Sequence, residues 1–202
     1  EVVRLFRGVR ELFADPPSVA IATAYLNPAG FALLADELEQ APSVRLLLGA
    51  EPDPTVGQRT VPPLTNDETR SALEEHGEWL ARERDLTGFS REEDGAARRM
   101  VEWLQKASDG GEPAVEVRRY GHGFLHGKAY IADHPQLPAV LAGSSNLTYA
   151  GLMRNAELNL GYPSGEHTHL VQEWFEHFWG ESDLYDLAGL YARRWEPHSP
   201  WL

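Results

Sequence analysis

Four polar residues in the second half of the chain are spaced so that they could act on a phosphodiester. In "LHGKAYIAD" (125–133), an apolar run that reads as a strand, His126 and Lys128 stand two apart, so both side chains leave one face. The next strand, "AVLAGS" (139–144), ends on Ser144, and Asn146 again lies two residues on. If the two strands are neighbours, one surface holds an imidazole, an ammonium, a hydroxyl and an amide. Those groups supply a nucleophile, a cation for the non-bridging oxygens and neutral donors around them, as transfer at phosphorus requires. Singly, each has a plainer reading. A lone histidine on a strand is usually structural, and "GSSN" by itself suits any strand-to-turn junction. A lysine inside an apolar strand is harder to dismiss, because lysine is almost never fully buried without a partner. The combination is what points to chemistry.

The elements that must position these groups follow from hydrophobic spacing. Val2, Leu5, Phe6, Val9, Leu12 and Phe13 recur at helical intervals until Pro16-Pro17. "SVAIATAYLN" (18–27) reads as a buried strand, and Pro28 opens an amphipathic helix that runs to Pro42. "VRLLLGA" (44–50) reads as a second buried strand, so strand, helix and strand predict a βαβ unit and a sheet parallel at least in part. Residues 51–65 hold four prolines without periodicity and read as a loop. Two helices follow in 66–109, opened by the capping boxes Thr65/Glu68 and Ser90/Glu93, the second with Ala97, Met100, Val101 and Leu104 on one face. "AVEVRRY" (114–120), 125–133, 139–144 and "AELNLGY" (156–162) read as four strands, before helices around 166–179 and 183–195. Leu170, Val171, Trp174, Phe175, Phe178 and Trp179 form an apolar stripe that reads as core rather than ligand site.

At 202 residues the chain can bury one sizeable core, and it has no cysteine, which excludes disulfides and cysteine-based zinc sites and suits a reducing cytoplasm. No apolar stretch approaches the roughly 20 residues of a membrane span, and no secretory signal opens the sequence. The net charge of −13 argues against a basic nucleic-acid footprint over the whole chain. The excess is uneven: residues 112–162 carry four acids, four bases and three histidines, so the acidic surplus lies outside the chemical stretch.

That stretch resembles the HKD motif of the phospholipase D superfamily, in which H-x-K is followed by D and then by G-S-x-N. Here His126, Gly127 and Lys128 are followed by Ala129 to Ala132 and Asp133, then by Gly143, Ser144, Ser145 and Asn146. The connector departs from the pattern: nine residues separate Asp133 from Gly143, and "HPQLPA" reads as an enlarged hairpin turn. Glu157 stands where related nucleases carry a glutamate on the following strand. The resemblance implies an α/β fold, a mixed β-sheet with helices on both faces, as a single domain over 1–202. It also implies roles. His126 attacks phosphorus to form a phosphohistidine, and a second histidine protonates the leaving oxygen. Lys128 and Asn146 hold the non-bridging oxygens, with a further hydrogen bond from Ser144. Glu157 accepts from the other ring nitrogen and fixes the tautomer. Asp133 and Gly143 are structural supports. No metal or other cofactor is needed, and no carboxylate cluster for a two-metal site is evident.

The sequence holds one copy of the motif, and members with a single copy pair two subunits, which implies a twofold homodimer with the motif surfaces facing each other. His122, four residues before His126, would share its strand face and is an in-chain candidate for the second acid, although a local loop role suits it better. Fold alone does not choose the phosphodiester. A small single-motif domain resembles the nuclease branch: metal-independent restriction endonucleases and PLD-like domains fused ahead of helicases in bacterial DNA-processing or defence proteins. "RRWEPHSPWL" (193–202) resembles the junction after which Swi/Snf-type helicase proteins continue, in keeping with a chain that starts on Glu1 and reads as cut from something longer. The expected partners are therefore DNA, a second subunit and a fused helicase/ATPase region, without a membrane. A phosphodiesterase for lipid or another small ester, and an assembly module without turnover, are the other readings. Intact His126, Lys128 and Asn146 argue against the last.

Overall fold

A computed structural model describes residues 1–13, 15–49, 91–107, 111–123 and 125–194. The chain alternates helices and strands up to β3: α1 (Val2–Leu12), β1 (Ser18–Thr23), α2 (Pro28–Ala32), α3 (Ala35–Gln40), β2 (Val44–Leu48), α4 (Arg91–Leu104) and β3 (Val115–Arg119). Three strands then follow in sequence, β4 (Lys128–Asp133), β5 (Ala139–Gly143) and β6 (Asn159–Pro163), with a π-helical turn at Ala150–Arg154 between the last two. The described chain ends with α5 (Glu166–Gly180), β7 (Asp183–Leu184) and α6 (Leu187–Arg194).

The strands form one seven-stranded mixed sheet in the order β6-β5-β4-β1-β2-β3-β7. β1, β2 and β3 are parallel, as a βαβ pattern requires, and β4, β5 and β6 add to the free side of β1 as an antiparallel meander. Helices cover both faces. On one, Phe6 and Val9 of α1, Phe31 and Leu34 of the α2–α3 segment, Leu38 of α3, Met100 and Trp103 of α4 and Leu190 and Tyr191 of α6 pack against Ile21, Leu46, Val117, Tyr130 and Leu141. On the other, Phe175 and Trp179 of α5 lie over Ala20, Ala22, Leu47, Ala129, Ile131 and Val140. Alanines recur on this second face, and they leave room for the two large rings. Each ring so buried contributes about 1.5–3 kcal/mol.

Several expectations shift. The single helix expected from Pro28 to Pro42 is two short ones, because Leu33 and Leu34 bond back three residues to Gly30 and Phe31. Phe31, Leu34, Ala35 and Leu38 keep their spacing and burial across that tightening, so periodicity cannot reveal it. The C-terminal helix expected from 183 begins at Leu187, after Asp183–Leu184 have paired with β3. The strand expected over 125–133 begins only at Lys128, since β4 finds its pairing partners on β1 and β5 from that residue. Helix α4 lies where the second helix was expected, with Ala97, Met100 and Leu104 buried. The loop over 51–65, the first of the two helices and the caps at Thr65 and Ser90 lie outside the described residues.

Candidate active site

The three parallel strands end at one edge of the sheet, and the antiparallel meander returns to it. There β4 begins at Lys128, β5 ends at Gly143 and β6 begins at Asn159, with Lys128 paired to Gly143 and Gly143 to Asn159. β4 and β5 are thus neighbours, the condition under which the two halves of the motif share a surface. Gly143 is needed there for its size, because a Cβ would sit 2.2 Å from the carbonyl oxygen of Leu158. Asp133 lies at the other end of β4, about 17 Å from Lys128 by strand rise, where its carboxylate accepts from Gln172 of α5 at 3.3 Å. Its contact is with a packing helix, not with the chemical groups.

Asn146 is oriented from across the sheet. Its Oδ1 accepts from the backbone N–H groups of Ala24 at 3.2 Å and Tyr25 at 3.3 Å, just beyond the end of β1. With the carbonyl end of the amide engaged, the NH2 end is the one left to donate to a ligand. The turn that carries Asn146 is fixed by its neighbours. Leu147 N–H donates to Thr23 Oγ1 at 3.0 Å, and Leu147 carbonyl accepts from Asn27 N–H at 3.1 Å. Asn27 also caps α2 through Gly30 N–H at 2.8 Å, and Gly30 packs so closely on Leu147 that a Cβ would meet its carbonyl at 2.4 Å. Ser145 is buried, with its Oγ accepting from Asn159 Nδ2 at 2.7 Å and its carbonyl accepting from the Tyr130 hydroxyl at 2.9 Å. Burial, aided by the charge of Glu157, holds the Tyr130 hydroxyl well above the usual phenol range, so it stays a donor.

The other half of the motif is held differently. His126 is exposed and lies two residues before β4, while Lys128 is 3% exposed and donates from Nζ to the carbonyl of His126 at 2.9 Å. Gly127 between them carries the indole of Trp174 against its backbone, where a Cβ would meet the ring at 2.5 Å. His122 shares no strand face with His126. Both lie in the connection from β3 to β4, which must pass the ends of β2 and β1, and the exposed His122 ring stands edge-on to Tyr120 at 5.6 Å.

Ser144 and Glu157 are bonded to each other: the serine hydroxyl donates to Glu157 Oε2 and accepts from Leu158 N–H at 3.0 Å. The other carboxylate oxygen accepts from Asn155 Nδ2 at 3.1 Å. The carboxylate that the motif pattern directs to the imidazole is therefore taken up by Ser144 and Asn155. Ser145, Asn155, Glu157 and Asn159 line a cavity of about 280 Å³ beside the motif. Thr23, Tyr130, Asn159 and Trp174 were not singled out for the site in the sequence, since their parts come from cross-strand and helix packing. Among the described residues, no group of three or more His, Asp or Glu converges as a metal-binding set, and no helix is long and apolar enough to cross a membrane.

A family model described as "Cardiolipin synthase, PLD-like domain" matches residues 17–179. No curated protein matches the chain. Among solved structures the chain is similar to NucT from Helicobacter pylori, at 14% identity and a TM-score of 0.48, over 90% of this chain and 88% of that one.

Proposed function

The chain belongs to the phospholipase D superfamily of phosphodiesterases, and from that premise we propose that it is a metal-independent DNA endonuclease domain working through a phosphohistidine on His126. The observation that carries the reading is the pairing of Lys128 with Gly143, which sets a buried ammonium and the oriented amide of Asn146 at the sheet edge reached by His126. In this reading an imidazole nitrogen of His126 attacks phosphorus, the P–O bond to the leaving group breaks, and a second histidine gives that oxygen its proton. Water then attacks the phosphohistidine, losing its proton to the same second histidine and restoring His126. Lys128 and Asn146 stabilise the charge that builds on the non-bridging oxygens. Ser144 and Glu157 act as a hydrogen-bonded pair that shapes the rim beside them.

The second histidine comes from a twofold mate. Exposed apolar side chains support such a partner: Leu160 (56% exposed) and Tyr162 (37%) share one face of β6, Leu158 (74%) immediately precedes that strand, and Leu170 (54%) lies on adjoining α5. A fused helicase-type region would add to the DNA affinity that a net charge of −13 limits. The description of the matched family favours a second reading, a phospholipid or other small phosphodiester as substrate.

Plasmid nicking in EDTA by the wild type and by His126→Ala tests the proposal. Wild-type nicking should persist, and the substitution should lower it by at least about 10³-fold while leaving the melting temperature in place. Turnover of phosphatidylglycerol vesicles with no nicking would decide for the second reading. Nicking by His126→Ala at the wild-type rate would remove the phosphohistidine mechanism.

A further inference from the structure

Arg118 and Arg119 end β3 side by side and are treated differently. Arg118 points toward α5, where Nε donates to Glu116 at 2.6 Å and the guanidinium lies 4.8 Å from the Trp179 ring centroid. Arg45, on neighbouring β2, is likewise paired with Glu176 at 2.6 Å. Arg119 points to the other face. Its guanidinium lies 5.7 Å from the centroid of Tyr185, and Nη1 is closed off from solvent with no hydrogen-bond partner. Asp183 stands opposite Arg119 in the β3–β7 register. A desolvated cationic N–H without an acceptor costs free energy, and such a group in a native fold calls for an explanation.

Its place in the sheet supplies one. Arg119 pairs with Leu48, Leu48 pairs with Thr23, and Ala22 pairs with Ala129, so the same register carried one residue further sets Thr23 beside Lys128. Residues opposite one another on neighbouring strands share a face. Lys128, Thr23, Leu48 and Arg119 therefore form one row along the edge where the motif sits. Three strand spacings separate Lys128 from Arg119, about 14 Å. That is too far for both cations to grip one phosphate, and it suits a second phosphate of the same strand.

We propose that Arg119 is a second phosphate contact, binding a phosphate of a polynucleotide substrate away from the bond that breaks. The assignment rests on the phosphodiesterase reading and narrows it to substrates long enough to reach both cations. A guanidinium can donate to a phosphate from the N–H groups other than the closed-off Nη1, and the Tyr185 ring beside it fixes the side chain's place.

The test uses the full chain carrying His126→Ala, so that a fluorescent single-stranded oligonucleotide binds without being cut. Affinity is read by anisotropy across a salt series, with Arg119 intact, as Arg119→Gln and as Arg119→Lys. Removing one phosphate contact should lower the slope of log affinity against log salt by about 0.7 in Arg119→Gln. Arg119→Lys should retain the wild-type slope. With His126 restored, Arg119→Gln should raise the oligonucleotide KM by about tenfold. Hydrolysis of bis(p-nitrophenyl) phosphate, which is too short to reach Arg119, should change less than twofold. Equal salt slopes for Arg119 and Arg119→Gln in proteins that bind DNA would overturn the assignment and leave the nuclease reading standing. An equal loss on both substrates would also overturn it, showing a structural arginine. No binding to any oligonucleotide, with the small ester still hydrolysed, would instead overturn the polynucleotide reading and this assignment with it.

Discussion

On the β5 side of the candidate site, Ser144, Ser145 and Asn146 are each bound to a different element: Glu157 and Leu158, then Asn159 and Tyr130, then the backbone after β1. On the β4 side, His126 is exposed and outside the strand, followed by a glycine pressed against Trp174 and a lysine that bonds back to the His126 carbonyl. The amide side is set by hydrogen bonds that span the sheet, and the imidazole side by local packing. Fixed donors need no reorganisation when charge develops on phosphorus. The contrast also predicts which substitutions harm folding as well as chemistry.

After His126→Ala, the largest effect should come from Asn146→Ala. Losing an oriented donor should lower DNA-cleavage kcat by roughly 10²–10³-fold. Leaving the Ala24 and Tyr25 N–H groups without their acceptor should cost about 1–3 kcal/mol in denaturant unfolding. A catalytic loss with unchanged stability would break the comparison. Gly127→Ala should come next, destabilising by about 1–3 kcal/mol because the added methyl meets the Trp174 ring. Trp174→Leu in the same chain should recover part of that loss, which a double-mutant cycle would measure.

Glu157→Gln sharpens the difference at lower amplitude. A carboxylate bonded to Ser144 and Asn155 should cost less than about tenfold in kcat when made neutral. One that fixed the imidazole tautomer would cost about 10⁴-fold. A last effect, outside the chemistry, concerns alkaline stability. Burial pushes the Tyr185 hydroxyl from 10.0 up to about 12, against the opposing charge of Arg119, and Tyr130 is raised in the same direction. Between pH 10 and pH 12 the unfolded chain gives up these protons while the folded one keeps them, so stability falls as pH rises. Tyr185 should account for about 2 kcal/mol of that fall by pH 12. Tyr185→Phe should flatten the corresponding part of a thermal-melt series over this range.

The residues of the motif and the elements that bear them were legible because both depend on local spacing. Lys128 and Gly143 flank a hairpin, and pairing across a hairpin follows from two apolar runs and the turn between them. The βαβ order of β1 and β2 was readable for the same reason. His126 and His122 were misplaced on a strand because the apolar run continues back to Leu125, while pairing stops at Lys128. Leu125 is nonetheless 4% exposed, so its apolar character marked burial rather than a strand.

Sequence alone determined which groups could meet phosphorus and that a sheet parallel at least in part would carry them, since side-chain type and short-range periodicity are properties of the chain itself. Tertiary structure decided that Glu157 turns to Ser144, that Asn146 is aimed by the end of β1 more than 100 residues away, and that Arg119 falls in line with Lys128. Each of those relations depends on which strands become neighbours and in what register. That is set by the burial of the two faces of the sheet together, and no local stretch of residues contains it.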